Sequence, residues 1–179
     1  MKVFYDCEFL EDGKTIDLIS IGLVADDGRE YYAVHVHADW GRVRRHPWLM
    51  ENVVPHLPKV YGDARNHMPS RWLFNHDDPA VKTRQRIAEE VRLFLQATPN
   101  AELWAYYGAY DHVALAQLWG RMIDLPKGVP MWTNDLKQEV VRLGSPTLPK
   151  QDGAEHNALA DARWVKAAYE ALHGGADRG

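Results

Sequence analysis

Met1-Lys2-Val3-Phe4-Tyr5-Asp6-Cys7-Glu8-Phe9-Leu10 opens the chain and decides how the rest is read. A β-strand turns successive side chains to opposite faces, so Asp6 and Glu8 share one face while Val3, Tyr5 and Cys7 share the other. Two carboxylates thus meet at the end of an apolar strand, where like charges repel unless a cation or a shared proton offsets them. A hard divalent cation such as Mg²⁺ is the usual partner. Near the other end, His156-Asn157-Ala158-Leu159-Ala160-Asp161-Ala162 enters a helix with a histidine five residues ahead of an acid. Taken singly, a solvated strand end and an ordinary helix start are the competing readings of these two stretches.

Working outward from the first strand, Thr15–Ala25 and Arg29–His37 read as a second and third strand, joined by Glu11-Asp12-Gly13 and Asp26-Asp27-Gly28 turns. Residues 39–76 are rich in Trp, Pro, His and Arg without clean periodicity, apart from a short helix around Trp48–Val54, and read as an insertion or flap over the site. Asp77-Asp78-Pro79 reads as the start of a helix reaching about Ala97, with Ile87, Val91, Phe94 and Leu95 on one face. Glu102–Tyr107 follows as a fourth strand, Asp111–Trp119 as a helix and Val129–Trp132 as a fifth strand. Helices over Asp135–Leu143 and Asn157–Leu172 close the pattern. The expectation is an α/β fold in one domain over residues 1–172, a mixed central sheet of about five strands flanked by helices, with 173–179 as a C-terminal tail.

A chain of 179 residues, 46% of them hydrophobic, is long enough for one sizeable core and short for two. It has no run of 18 or more apolar residues and enters its first strand at once, so a soluble, cytoplasmic protein with no membrane partner is expected. The single cysteine excludes an intrachain disulfide framework and a Cys-rich zinc site, and Cys7 reads as a small core residue opposite the acids. Outside His156, the histidines His35, His37, His46, His56, His67, His76, His112 and His173 form no ligand constellation.

A net charge of −4 argues against a protein that coats nucleic acid through its overall field. The charge is uneven, however. Arg42, Arg44, Arg45, Lys59, Arg65 and Arg71 outnumber Asp39, Glu51 and Asp63 within residues 39–76, which suits either a basic lip over an acidic site or an ordinary solvated surface.

Three stretches together carry a family resemblance. Asp6-Cys7-Glu8 resembles the first motif of the DEDD 3′-to-5′ exonucleases. Ala105-Tyr106-Tyr107-Gly108-Ala109-Tyr110-Asp111-His112-Val113-Ala114-Leu115 resembles the second, and His156 through Ala162 the third, in its histidine-containing DEDDh form. The motifs stand in the family's order, and the resemblance spans roughly residues 3–172, toward compact exoribonucleases of the RNase T and oligoribonuclease kind. Two departures stand out: Phe9 follows the first-motif glutamate where relatives commonly have Thr or Met, and Tyr107 stands where the second motif often has Asn.

The resemblance implies an RNase H-like fold and a metal-dependent exoribonuclease that releases nucleoside 5′-monophosphates from RNA with a free 3′ end. It implies two Mg²⁺ (or Mn²⁺) ions, with Asp6, Glu8 and Asp161 on the first, Asp6 also reaching the second, and Asp111 acting through water. Such paired ions, about 3.5–4 Å apart, activate a water and stabilise the departing oxygen. His156 would be the general base, suited by an unperturbed pKa of about 6.5. The competing reading of Asp111 is a simple helix N-cap, a role compatible with binding through water. Phe9 and Leu10 are the expected contacts to the terminal base, by stacking and wedging respectively. Tyr107 is the third candidate contact, and Tyr110 is expected in the core. A homodimer is implied as well. Alternatives of other classes are a DNA 3′-to-5′ exonuclease of proofreading or repair type and a non-catalytic nucleic-acid-binding module. The acid set speaks against the binder, because clustered negative charge repels phosphate.

Overall fold

In the computed structural model, residues 1–58, 75, 77–152 and 155–174 are described. β1 (Lys2–Glu11), β2 (Ile16–Ala25) and β3 (Glu30–His35) form an antiparallel meander. Asp12 closes its first turn by accepting the Lys14 and Thr15 N–H groups at 2.9 and 2.7 Å. Two short helices follow, α1 (Trp40–Val43) and α2 (Pro47–Asn52), then β4 (Val81–Lys82) and α3 (Arg84–Gln96). The remaining elements are β5 (Glu102–Ala105), α4 (Ala109–Ala116), β6 (Asn134–Asp135), α5 (Leu136–Arg142) and α6 (Ala158–His173). The strands lie in the order β4-β3-β2-β1-β5-β6, with β4, β5 and β6 each joined in parallel to a neighbour, so the sheet is mixed and the fold α/β.

The sheet has six strands rather than about five, and two elements are placed differently from the sequence expectation. Asp77-Asp78-Pro79 does not begin a helix. Asp78 instead accepts the Ala80 N–H at 2.8 Å in a turn, β4 follows, and Thr83 caps α3 by accepting from Arg86. A short polar side chain satisfies a turn as readily as a helix end, which is why the acids misled. The strand expected at Val129–Trp132 lies instead at Asn134–Asp135; Val129 is buried as a loop residue, and Pro130 has no N–H to give a ladder. The last helix runs to His173, one residue into the expected tail; residues 175–179, and 59–74 and 76 of the expected flap, lie outside the described residues.

β1 divides its residues cleanly. Val3, Tyr5 and Cys7 enter one core cluster with Ile87, Val91 and Leu95 of α3 and Ala114 and Leu115 of α4. On the other face Phe4 packs with Leu136, Val165 and Ala168 beneath α5 and α6, while Leu10 packs with Val43, Leu49 and Val53 beneath α1 and α2. Asp6 and Glu8 therefore fall in the gap between two apolar clusters on one sheet face. Beside them the β1–β2 register slips: Glu8 pairs with Ser20 but Phe9 with Leu18, leaving Ile19 as the extra residue of a bulge.

Gly22, the β2 partner of Asp6, sets how close α6 comes to this gap. A β-carbon there would lie 2.5 Å from Leu159 Cα and equally deep in the Ala158 backbone. Only glycine admits that approach. Gly22→Ala is expected to cost about 1–3 kcal/mol by overpacking, because the obstructing atoms are backbone and cannot rotate away. Urea unfolding measures it, and a stability equal to the parent's would refute the tight seat of α6.

Candidate active site

Three elements bring the acids together, each by a local rule. The parity of β1 presents Asp6 and Glu8. β5 pairs with β1 only over Lys2–Phe4, so beyond Phe4 that edge of β1 is free, and Asp111 takes it: its Oδ1 accepts the Cys7 N–H at 2.8 Å. Asp111 is not the N-cap of α4, a place held by Gly108. It lies in the first turn, 6% exposed, with its carboxylate turned back to β1. α6 brings Asp161 in its first turn behind an N-cap at Asn157, whose side chain accepts the Ala160 N–H at 3.0 Å. His156 precedes that cap in a left-handed conformation (φ 64°), on the turn entering the helix as its spacing suggested.

The ligand atoms of Glu8, His156 and Asp161 all lie within 4.8 Å of one another. Asp6, Glu8, Asp111, His156 and Asp161 line one cleft of ≈ 490 Å³, so every residue expected to do the chemistry is gathered there. Phe9, Trp48, Tyr107 and Tyr110 form its aromatic margin. Phe9 and Tyr110 meet edge to face at 6.0 Å, and Tyr110 is 51% exposed, correcting its expected place in the core. Tyr107 is exposed, holds a positive φ of 58° and donates its N–H to Asp135 at 3.1 Å. Leu10 is absent from the cleft. It lies on the face of the acids but is only 3% exposed beneath α1 and α2, so the wedging contact expected of it is not available and Phe9 is left to meet a base.

Two residues beside the cleft carried no signal in the sequence. Gln151 donates its amide to the Asp161 carboxylate, and the Trp164 indole N–H, one turn beyond Asp161, holds the Pro149 carbonyl at 3.0 Å. Gln151 and Trp164 line a second hollow of ≈ 430 Å³ that shares Asp6, Tyr106, His156 and Asp161 with the first. A glutamine in a loop of no periodicity has nothing to mark it. Of the expected basic lip, Arg42 is committed to Asp12 and Asp17 at 2.7 and 3.2 Å, Arg44 donates to the Trp40 carbonyl, and Lys59, Arg65 and Arg71 lie outside the described residues.

The electrostatics are those of crowded anions. Burial pushes the Glu8 carboxyl up to about 8, with the charges of Asp161 and Asp111 adding to it. Asp111 rises to about 7, again chiefly through burial, although the Cys7 N–H partly restrains it. Asp6 and Asp161 are raised too, first by burial; the other acids add to the rise at Asp6, while Gln151 and His156 moderate it at Asp161. Burial likewise raises the Cys7 thiol, which is 4% exposed and suits the core rather than nucleophilic work. Among the described residues no Lys or Arg lines the cleft. Hard oxygen donors, close-set and without a protein cation, fit one or more hard divalent ions.

The mixed sheet, its flanking helices and this acid-rich cleft are consistent with an α/β nuclease. The chain belongs to the Rv2179c-like 3'-5' exoribonuclease domain family, which it matches over residues 1–173. It is 45% identical over 165 residues to the 3'-5' exoribonuclease Rv2179c of Mycobacterium tuberculosis (strain ATCC 25618 / H37Rv), an alignment covering 91% of this chain and 88% of the relative. The same figures hold for the 3'-5' exoribonuclease MT2234.1 of Mycobacterium tuberculosis (strain CDC 1551 / Oshkosh).

Glu8 and Asp111 bind protons more tightly folded than unfolded, where carboxyls titrate near about 4. Their contribution to stability is therefore fully present below about 4 and is lost as pH rises through about 7 and about 8. The metal-free protein should lose thermal stability across that window. Glu8→Gln should soften the loss and raise the melting temperature at alkaline pH by about 2–4 °C for each kcal/mol of repulsion relieved. Scanning calorimetry of both proteins against pH checks this; parallel curves would mean that Glu8 is not held under repulsion.

Proposed function

We propose that this chain is a DEDDh-type 3′-to-5′ exoribonuclease of RNase H-like fold, acting in the cytoplasm and releasing nucleoside 5′-monophosphates from RNA 3′ ends with two Mg²⁺ or Mn²⁺ ions. The observation that carries it is the convergence of Asp6, Glu8, Asp111, Asp161 and His156 on one cleft, within a chain of an exoribonuclease family. Asp6, Glu8 and Asp161 would hold one ion, Asp6 would share the second, and Asp111 would act through water. The ions supply charge neutralisation at the scissile phosphate and a more acidic water.

The remaining work falls to the side chains. His156 accepts the proton of the attacking water, close enough to Glu8 and Asp161 to do so without leaving its turn. Phe9 stacks on the terminal base and Tyr107 flanks the strand behind it, each stacked base being worth about 1–3 kcal/mol. The 2′-hydroxyl gives a handle for preferring RNA over DNA. A second copy of the chain belongs to this reading, since Met131 and Trp132 leave apolar surface exposed; light scattering that finds a monomer with full activity removes it.

His156→Ala should leave metal binding in place and slow hydrolysis by about 10²- to 10⁴-fold, the range of a lost general base. Asp161→Asn should keep the fold but weaken metal binding itself, at least about tenfold, because it removes one charge without changing shape. Titration calorimetry and single-turnover assays separate the two; unchanged metal affinity in Asp161→Asn rejects it as a ligand.

Polarity tests the function itself. RNA labelled at its 5′ end should shorten stepwise, a 3′-phosphate should block it, the products should be 5′-mononucleotides, and DNA should be cut more slowly. Circular RNA of the same sequence cut at a rate comparable to the linear form would establish an endonuclease instead.

A further inference from the structure

The turn that carries His156 is held from outside by a part of the chain remote in sequence. α2 is capped by His46, which accepts the Leu49 N–H at 3.3 Å, and begins with Pro47, whose fixed φ suits a first turn. It is anchored through buried Leu49, with Val53 just past its end, in the cluster beneath β1 and β2. Trp48 does not join that cluster. It is 47% exposed, lines the cleft, and its ring meets the His156 imidazole at 4.7 Å with the planes 73° apart. A few residues on, the His56 carbonyl accepts from the Asn157 side chain at 3.3 Å, the same side chain that caps α6. The segment 46–57 thus grips the His156-Asn157 turn at two points.

His156 needs such a grip. A residue with a β-carbon at φ 64° sits in a sparsely favoured backbone region and persists only where its surroundings hold it there. Its backbone N–H is held by the Asp161 carboxylate, but among the described residues no hydrogen bond fixes the direction of its ring. We infer that Trp48 is a positioning residue for the reaction: its indole seats the His156 imidazole in the orientation that reaches Glu8 and Asp161. This rests on the proposed role of His156 as general base. It also gives α2 a purpose that is independent of charge, since α2 places an aromatic seat beside the base, while β1, α4 and α6 place the acids.

Trp48→Ala should lower kcat about tenfold, the size an edge-to-face ring contact can supply, with KM for a short RNA unchanged. Trp48→Phe, which keeps an aromatic edge, should recover kcat to within about threefold of the parent, in line with the same contact energy. The contact has its own signature: the imidazole C–H proton resonances of His156, assigned by their loss in His156→Ala, should move in Trp48→Ala as the indole ring current is removed. A melting temperature close to the parent's is expected, because Trp48 stands outside the core. Unmoved His156 resonances, or a parental kcat in Trp48→Ala, overturn the inference. A rise in KM alone also overturns it and makes Trp48 a stacking surface for RNA. If His156→Ala itself hydrolyses RNA at the parent rate, the proposed general base fails, and the resonance shift still decides whether Trp48 seats the ring.

Discussion

Mutual repulsion among Asp6, Glu8, Asp111 and Asp161 is the constraint around which the rest of the structure is arranged. All four carboxyls are raised by burial, and three of the four also by one another. Left to relax, flexible acids would swing apart into solvent. They are instead held by three means: Asp6 and Glu8 by strand parity, Asp111 by the Cys7 N–H, Asp161 by the Gln151 amide and the helix beneath it. Pinning costs stability, and the apolar clusters on both sheet faces must offset it. An anion cluster on a rigid frame is therefore a spring held compressed by the core, and on the proposed reading a bound cation releases it.

The frame leaves room for the cluster by interrupting itself. The face of β1 that carries Phe4, Asp6, Glu8 and Leu10 is covered at one end by α5 and α6 and at the other by α1 and α2, with the acids between the two clusters. β5 stops pairing after Phe4, which frees a strand N–H for Asp111 just where the acids begin. The bulge at Ile19 lets β2 change its facing at the same level, so Leu18 returns to the main core while Ile19 joins the second cluster. Gly22 completes the arrangement by admitting α6 against the sheet opposite Asp6. Sheet splitting, a bulge and a missing β-carbon thus coincide beside the acids.

What the sequence disclosed and what it withheld follow the same physics. The parity of Asp6 and Glu8, the turn before α6 and the existence of a helix around Asp111 are short-range features, and short-range patterns are readable from one chain. The convergence of the acids was readable only through a family resemblance, since no spacing rule joins residue 6 to residue 161. Leu10 was misplaced because its neighbours in space, Val43 and Leu49, sit in a segment with no periodicity to announce a packing face. Tyr110 was misplaced for the opposite reason. An aromatic on an Ala- and Leu-rich helix looks like core, yet its place beside Gly108 puts it at the cleft rim against Phe9. Trp48 and Gln151 act across the fold, and nothing local to either marks it.

Charge also orders events on the proposed reading. RNA is a polyanion, the chain carries −4, and the cleft is lined by acids with no Lys or Arg among its described residues. Arg42, a candidate in the neighbouring segment to draw phosphate, already serves Asp12 and Asp17. Exposed charges beyond about 10 Å are largely screened in physiological salt, so distant cations cannot reverse the field inside the cleft. Cations that neutralise the acids then favour the entry of phosphate, so that on this reading metal loading promotes productive binding of RNA. Base stacking on Phe9 is indifferent to that charge and to base identity, because every base offers a ring face. The two contributions are complementary. The loaded acids admit a phosphate of any sequence, and the aromatic margin requires that the base beyond it be free to leave its neighbours, a condition met most easily at a chain end.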